Sequence, residues 1–196
     1  MSRFSNGSAA SGSNCGVRHR VICLLLLFGL PALGGDAYDV IVSVDAAGQS
    51  GEASATIRIR ASREAVWPLL ASCSEELRIV PGLVSCQVME SAPDHSWQRI
   101  RHVVDYSWYL PRLTYDVMAT YHRPDSIVVE RISGDMVRLR GSWTLQAEGG
   151  DTLAHYDVDV VPGFWVPNWI IRAAMRRDLP KMLRNLRARA ESAHNE

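Results

Sequence analysis

His102 is the residue whose type and position best suit acid–base chemistry in this sequence. Alternation along a predicted strand over 97–108 places its side chain on the same face as Val104, which we expect to point into the core. A histidine on such a face could serve as the general base of an aldol-type cyclisation or a dehydration. Asp105 and Asp116 fall on the opposite face by the same alternation, so neither is placed to orient the imidazole. The alternative is a hydrogen-bonded structural histidine, which is the commoner role on an apolar face.

No other motif for catalysis or cofactor binding is present. The sequence has no nucleophile elbow, no zinc-ligand spacing, no phosphate-binding loop and no dinucleotide fingerprint. We therefore predict no cofactor and no metal, and binding is favoured over catalysis. The formal charge is zero, with 21 basic and 21 acidic residues, which gives no electrostatic reason to expect nucleic acid as a partner.

The N-terminus carries the pattern of a secretory signal peptide. Basic residues precede an apolar run over 21–30, and small residues follow it. That order predicts a signal peptide over 1–34, with cleavage after Gly34 or after Ala37, and hence a periplasmic or secreted protein. The alternative is an uncleaved leader that anchors the protein in a membrane, although the apolar run is shorter than the roughly 20 residues that a span needs. We expect residues 35–50, which are small and polar, to form a linker or a frayed strand.

Cys73 and Cys86 remain once a leader that carries Cys15 and Cys23 is removed. An oxidising compartment permits a disulfide between them. The alternative is two buried thiols, since free cysteine packs as a small hydrophobe. The sequence leaves both states open, because it does not give the distance between the two Cα atoms.

The predicted elements are, in order, a strand, two short helices, six strands and one long helix. The first strand follows Gly51, the short helices open at Ser62 and Ser74, and the final helix spans about 166–190. The six strands, joined by short turns, lie at 83–91, 97–108, 113–122, 126–132, 136–147 and 152–161. Strands this close in sequence form an antiparallel meander. The sequence therefore predicts one α+β domain over 51–193.

Five short segments, taken in order, resemble the START/polyketide-cyclase (SRPBCC) superfamily, nearest its coenzyme-Q-binding branch. They lie at 61–67, 80–83, 141–145, 151–156 and 183–191, and the resemblance covers about 52–192. It implies a helix-grip fold, in which a seven-stranded antiparallel curved sheet wraps a long C-terminal helix. It also implies a cavity between sheet and helix that holds a hydrophobic molecule.

The resemblance and the alternation together give candidate ligand-binding residues. The inner face of the sheet is apolar with a few hydroxyl groups and one imidazole, which suits a hydrophobic ligand with a polar handle. The candidates are His102, Val104, Tyr106, Tyr115, Val117, Leu139, Trp143, Tyr156 and Trp169. The alternative is a solid core without a cavity.

Two turns expected at one end of the sheet are rich in aromatic residues. Trp108 and Tyr109 lie in one turn, and Phe164 and Trp165 lie in the other. Such a cluster could form the mouth of a cavity or contact a membrane surface, and the basic final helix beside it would favour anionic lipid. The alternatives are an aromatic plug that caps the core and a solvated helix face.

The strand order implied by the resemblance places the last strand between the first and the sixth. Asp157 and Asp159 would then lie between two pairs of arginines. These arginines are Arg58, Arg60, Arg138 and Arg140. We expect the six charges to pair on the outer face and to neutralise the two carboxylates before a metal could bind.

Three functions follow from these observations. The first is binding or transfer of a lipid, quinone or polyketide-like molecule by an exported monomer. The second is a cyclase or dehydratase that uses His102 as its base. The third is a protein-interaction module that uses the aromatic end.

Overall fold

Eight strands and three helices make up the part of the chain that the computed structural model describes, which is residues 39–44, 49–106 and 110–194. The predicted leader and the aromatic residues Trp108 and Tyr109 lie outside these ranges. The strands are β1 (Asp39–Val44), β2 (Gly51–Ile59), β3 (Leu83–Ser91), β4 (Trp97–Val104), β5 (Leu113–His122), β6 (Ser126–Gly134), β7 (Met136–Glu148) and β8 (Asp151–Pro162). The helices are α1 (Arg63–Leu70), α2 (Cys73–Ile79) and α3 (Asn168–His194).

All eight strands form one antiparallel sheet in the order β1-β2-β8-β7-β6-β5-β4-β3. From β3 to β8 each strand pairs with the next along the chain, which is the predicted meander. β8 also pairs with β2, so the last strand lies between β2 and β7 as the resemblance implies. The predicted helix-grip fold, a curved antiparallel sheet with a long C-terminal helix, is confirmed.

Of the two alternatives for residues 35–50, a linker or a frayed strand, the strand describes residues 39–44, which form the edge strand β1. β1 pairs with β2 from Asp39 opposite Thr56 to Val44 opposite Gly51. Its sequence, DVIVSV, contains four β-branched residues, and such residues favour strands. Pairing also occupies backbone groups of β2 that would otherwise form an open sheet edge. The sheet therefore has eight strands where the resemblance implies seven.

α3 packs its apolar stripe against the inner face of the sheet. Its buried side chains recur every three or four residues and include Ile171, Met175, Leu179, Met182, Leu183 and Leu186. Gly51 of β2 permits a close approach, because a Cβ atom there would lie 2.6 Å from Cγ2 of Ile171 and 2.7 Å from Sδ of Met175. α3 continues through Pro180 as one helix.

α2 is fixed at both of its ends. Cys73, its first residue, forms a disulfide with Cys86 of β3, and the two Cα atoms are 5.2 Å apart. At the other end, the side-chain amide of Asn185 in α3 donates a hydrogen bond to the carbonyl oxygen of Ile79 at 3.0 Å. The helix is thereby held against the sheet on one side and against α3 on the other.

The outer face carries ion pairs, but only part of the predicted pairing is right. Arg138 pairs with Asp159, with 2.6 Å between Nε and Oδ2. The remaining three arginines pair elsewhere: Arg58 with Glu148, Arg60 with Glu191 and Arg140 with Glu130. Arg58 lies opposite Leu153 in the register of β2 and β8, too far along the strand to meet Asp157. Alternation predicts which face a residue occupies but leaves the register of neighbouring strands undetermined.

Asp116 of β5 is a buried carboxylate on the face opposite His102. Arg101 Nε donates a hydrogen bond to it at 2.7 Å and Arg99 Nη2 donates another at 2.8 Å. The bond from Arg101, reinforced by Arg99, outweighs burial and lowers the pKa of Asp116 to about 2. This cluster stabilises the pairing of β4 with β5, the strands that carry His102 and Tyr115.

We predict that Asp116→Asn lowers the free energy of unfolding at neutral pH by about 1–2 kcal/mol, because three charge-assisted hydrogen bonds from Arg99 and Arg101 lose their anionic acceptor. An unfolded aspartate has a pKa of about 3.9. Since the folded pKa is lower, the stabilisation is complete above that value and is lost as the pH falls towards about 2.

Denaturant unfolding at a series of pH values measures this effect. The gap in stability between wild type and Asp116→Asn should close at the acidic end. Glu90→Gln, which alters an exposed carboxylate with no ion pair among the described residues, is the control and should leave stability unchanged. A gap for Asp116→Asn that does not vary with pH would contradict the prediction.

Candidate functional site

A cavity of about 210 Å³ lies between the inner face of the sheet and α3. Its sheet wall includes Val104, Leu113, Tyr115, Leu139, Tyr156 and Val158, and its helix wall includes Ile171, Ala174, Met175, Leu179 and Met182. The alternation of the strands and the helical spacing of α3 place these two sets face to face. Leu110, Phe164 and Val166, from the two loops at one end of the sheet, complete the lining. The walls are mainly apolar, with tyrosine hydroxyl groups as polar points.

A second chamber of about 120 Å³ adjoins the first. The two share wall residues, among them Tyr115, Leu139 and Tyr156. The second chamber adds Glu76 and His102 to the lining. A molecule in the first chamber therefore lies next to a carboxylate and an imidazole.

Glu76 and His102 form a hydrogen-bonded pair, with 3.0 Å between Oε2 and Nε2. Their side chains are 22% and 12% exposed, so the pair is largely shielded from solvent. The edge of one ring faces the plane of the other where His102 meets Tyr115, with centroids 5.6 Å apart. The carboxylate and the aromatic contact together fix the orientation of the imidazole.

Strand alternation does not reveal Glu76 as the partner of His102, because alternation compares residues within the sheet alone. Glu76 lies on α2, in the next layer of the structure. A signal was present, since Glu76 precedes Ile79 by three residues and thus shares a helix face with it. Ile79 is buried, which marks that face as the inner one.

Tyr115 and Tyr156 present hydroxyl groups that stay protonated. Burial raises the pKa of both side chains, and neighbouring tyrosines and Glu76 raise it further. Neither hydroxyl has a hydrogen-bond partner among the residues that the structure describes. The rings of Tyr156 and Trp143 stack with their centroids 4.5 Å apart. Gly141 leaves room for the Tyr156 hydroxyl, because a Cβ atom at position 141 would lie 3.3 Å from that oxygen. The two phenols are therefore available as donors to an oxygen of a bound molecule.

The structure brings most of the candidate ligand-binding residues to the two chambers. Val104, Tyr106, Tyr115, Leu139 and Tyr156 line the first, and His102 and Trp143 line the second. The resemblance implies a cavity between sheet and helix, but no residue of the helix wall was among the candidates.

Val117 and Trp169 line neither chamber. Val117 is fully buried and packs against Ile100 and Ala119. Trp169 is 70% exposed, because it precedes the inward-facing Ile171 by two residues and so lies on the opposite side of the helix. Trp169 therefore lies outside the walls of both chambers.

The two aromatic residues predicted for the mouth and described by the structure differ in their exposure. Phe164 lines the cavity, whereas Trp165 is 74% exposed. Trp165 and Trp169 are followed on α3 by the exposed Arg172 and Arg176, which have no ion pair among the described residues. Contact of this end with a membrane surface or with another protein stays a prediction.

One group of three candidate metal ligands occurs within the described ranges: Cys73, Glu76 and Cys86. In the disulfide state the two sulfur atoms are bonded to each other and offer no thiolate. Within the same ranges, no helix combines the length and apolar character that crossing a membrane requires.

Three solved structures show how widely this fold is shared. A START superfamily protein from Mycobacterium smegmatis is similar with a TM-score of 0.63 and 18% identity, over 72% of this chain and 98% of the other. A STAR-related lipid transfer protein from Xanthomonas axonopodis is similar with a TM-score of 0.68 and 16% identity, over 79% and 93%. The Zhui aromatase/cyclase from Streptomyces sp. R1128 is similar with a TM-score of 0.61 and 17% identity, over 72% and 94%.

No curated protein sequence matches this chain. The sequence does match the family described as polyketide cyclase/dehydrase and lipid transport over residues 59–187, which is more than half of its length. This range runs from the end of β2 into α3 and so contains both chambers and the Glu76–His102 pair. The chain belongs to the polyketide cyclase/dehydrase and lipid transport family.

Proposed function

We propose that the protein is a periplasmic or secreted carrier, which binds one apolar small molecule in the cavity between the sheet and α3. The observation that carries this proposal is the cavity itself, with its volume of about 210 Å³ and its apolar walls. An engineered apolar cavity of about 150 Å³ is large enough to bind benzene. The first chamber is therefore large enough for a ring or a short acyl segment, and the second extends the available space.

The hydroxyl groups narrow the class of ligand. Tyr115 and Tyr156 would donate hydrogen bonds to a carbonyl or a carboxyl oxygen on an otherwise apolar molecule. A lipid, a quinone and a polyketide-like ring all offer such an oxygen. The names of two similar structures, a lipid transfer protein and an aromatase/cyclase, are consistent with this class.

Two adjacent alanines of α3 allow a matched test. Ala174 lines the cavity, while Ala173 is exposed on the outer side of the helix. We predict that Ala174→Phe fills the first chamber and weakens ligand binding by at least about tenfold, whereas Ala173→Phe leaves binding unchanged.

Thermal-shift and fluorescence titrations with decanoic acid, a short-chain ubiquinone and naphthol measure this difference. Circular dichroism checks that both variants are folded. A folded Ala174→Phe protein that binds these probes as tightly as wild type does would contradict the proposal. So would a wild-type protein that none of the probes stabilises.

A second candidate function is a cyclase or dehydratase, and the hydrogen bond between Glu76 and His102 favours it. When Nε2 carries the proton and donates to Glu76, Nδ1 carries the lone pair that a general base needs. The imidazole would then remove a proton from the carbon next to a carbonyl group. The protonated phenols of Tyr115 and Tyr156 would stabilise the oxyanion that forms.

This candidate predicts that His102→Ala separates turnover from binding. The rate of cyclisation of a poly-β-keto thioester analogue should fall by about 10²–10⁴-fold, because the general base is lost. The dissociation constant for naphthol should stay within about twofold, because the first chamber is intact. Product analysis and titration on the same preparation provide the two readouts. Equal loss of both, or no turnover by wild type, would count against an enzyme.

A further inference from the structure

Four side chains with metal-binding atoms meet where α2 crosses the sheet. Cys73 begins α2 and Glu76 follows it by three residues. Cys86 lies on β3, directly opposite His102 on β4. All four side chains are at least half-buried, so competing water is limited.

The donor atoms of these residues are close together. Those of Cys73, Glu76 and Cys86 all lie within 4.8 Å of one another. Oε2 of Glu76 is 3.2 Å from Sγ of Cys86 and 3.0 Å from Nε2 of His102. In a zinc tetrahedron with bonds of about 2.0–2.3 Å, neighbouring ligand atoms are about 3.3–3.8 Å apart. The grouping of Cys73, Glu76 and Cys86 thus supplies three ligands of a tetrahedral zinc site, and His102 adjoins the group through Glu76 as the fourth.

We propose that reduction of the Cys73–Cys86 disulfide converts this cluster into a zinc site. Its ligands are the thiolates of Cys73 and Cys86, the Glu76 carboxylate and Nε2 of His102. Two thiolates, one imidazole and one carboxylate are a ligand set that Zn²⁺ accepts in tetrahedral geometry. The Cα atoms of the cysteines are already 5.2 Å apart, so rotation of the side chains separates the sulfur atoms without moving the backbone.

The chemistry balances with a dithiol as the reductant. The dithiol transfers two electrons and two protons to the sulfur–sulfur bond and closes to its own disulfide. The protein gains two thiols, and Zn²⁺ displaces both thiol protons into solvent as it binds. In the oxidised chain the sulfur atoms are bonded to each other, so the disulfide and the metal exclude one another.

The two states differ in what they leave free in the second chamber. In the disulfide state, Glu76 and His102 face that chamber as a hydrogen-bonded pair. In the zinc state, both side chains are ligands, and His102 can no longer act as a base. The first chamber contains none of the four ligands, so this switch goes beyond the proposed binding function.

The test compares the oxidised full-length chain with the same chain after reduction by dithiothreitol. The dithiothreitol is removed under anaerobic conditions before metal is added. Titration with Zn²⁺ should show one tight site per chain in the reduced form and none in the oxidised form. Co²⁺ should give the sulfur-to-metal charge-transfer band and the intense visible bands of a tetrahedral thiolate site. Zn²⁺ should also raise the melting temperature of the reduced chain alone.

Two histidine variants provide the control. His102→Ala should weaken zinc binding by the reduced chain by at least about tenfold, since it removes a ligand. His122→Ala, which removes an exposed histidine at the far end of β5, should leave the affinity unchanged. Equal zinc binding in the two redox states, an absent charge-transfer band, or equal affinity of the two histidine variants would overturn the proposal. The comparison of redox states uses wild type alone, so it holds even if a variant fails to fold.

Discussion

The packing of α3 against the inner face of the sheet is the interaction on which the rest of the structure depends. Gly51 lets the helix approach β2 closely enough for Ile171 and Met175 to fill that side of the interface. Farther across the sheet the two layers separate, and the tyrosines of β5 and β8 occupy the space between them without filling it. Tight contact over β2 together with the open space over β5 produces a cavity instead of a solid core.

α2 depends on the same packing. Asn185 of α3 donates a hydrogen bond to the carbonyl oxygen of Ile79, and Arg189 of α3 donates one to the carboxylate of Glu75. The disulfide fixes the opposite end of α2 to β3. These restraints position Glu76 beside His102, so the polar end of the second chamber depends on contacts made outside it. Under the proposed switch, reduction of the disulfide followed by zinc binding makes His102 a metal ligand instead of a base, without a large movement of the fold.

Much of this arrangement could be read from the sequence, because it depends on local patterns. The predicted opening of a helix at Ser62 is confirmed, and the Ser62 hydroxyl caps α1 by accepting a hydrogen bond from the backbone amide of Ala65. Alternation placed His102, Tyr115 and Tyr156 on the inner face, and all three line a chamber. Such patterns are set by the geometry of a single strand or helix turn.

The features that escaped prediction depend on how elements meet. The partner of His102 lies on a helix, and strand alternation carries no information about the neighbouring layer. Arg58 meets Glu148 instead of Asp157 because the register of β2 against β8 is a property of the pair. Trp169 was among the candidates for the cavity, whereas the rotation of α3 directs it to solvent. The volume of the cavity likewise depends on how closely the sheet and α3 pack together, and the sequence of one segment does not determine that distance.

Whether the cavity holds an apolar molecule can be measured on the full-length protein, purified without detergent from cells that produce it. Native mass spectrometry gives the mass of the folded protein, and solvent extraction of the same sample recovers any bound compound. We expect a population heavier than the bare chain by the mass of one small molecule, and an extract that contains an apolar compound of that mass. Repeated preparations of folded protein at the mass of the bare chain, with nothing extracted, would contradict it.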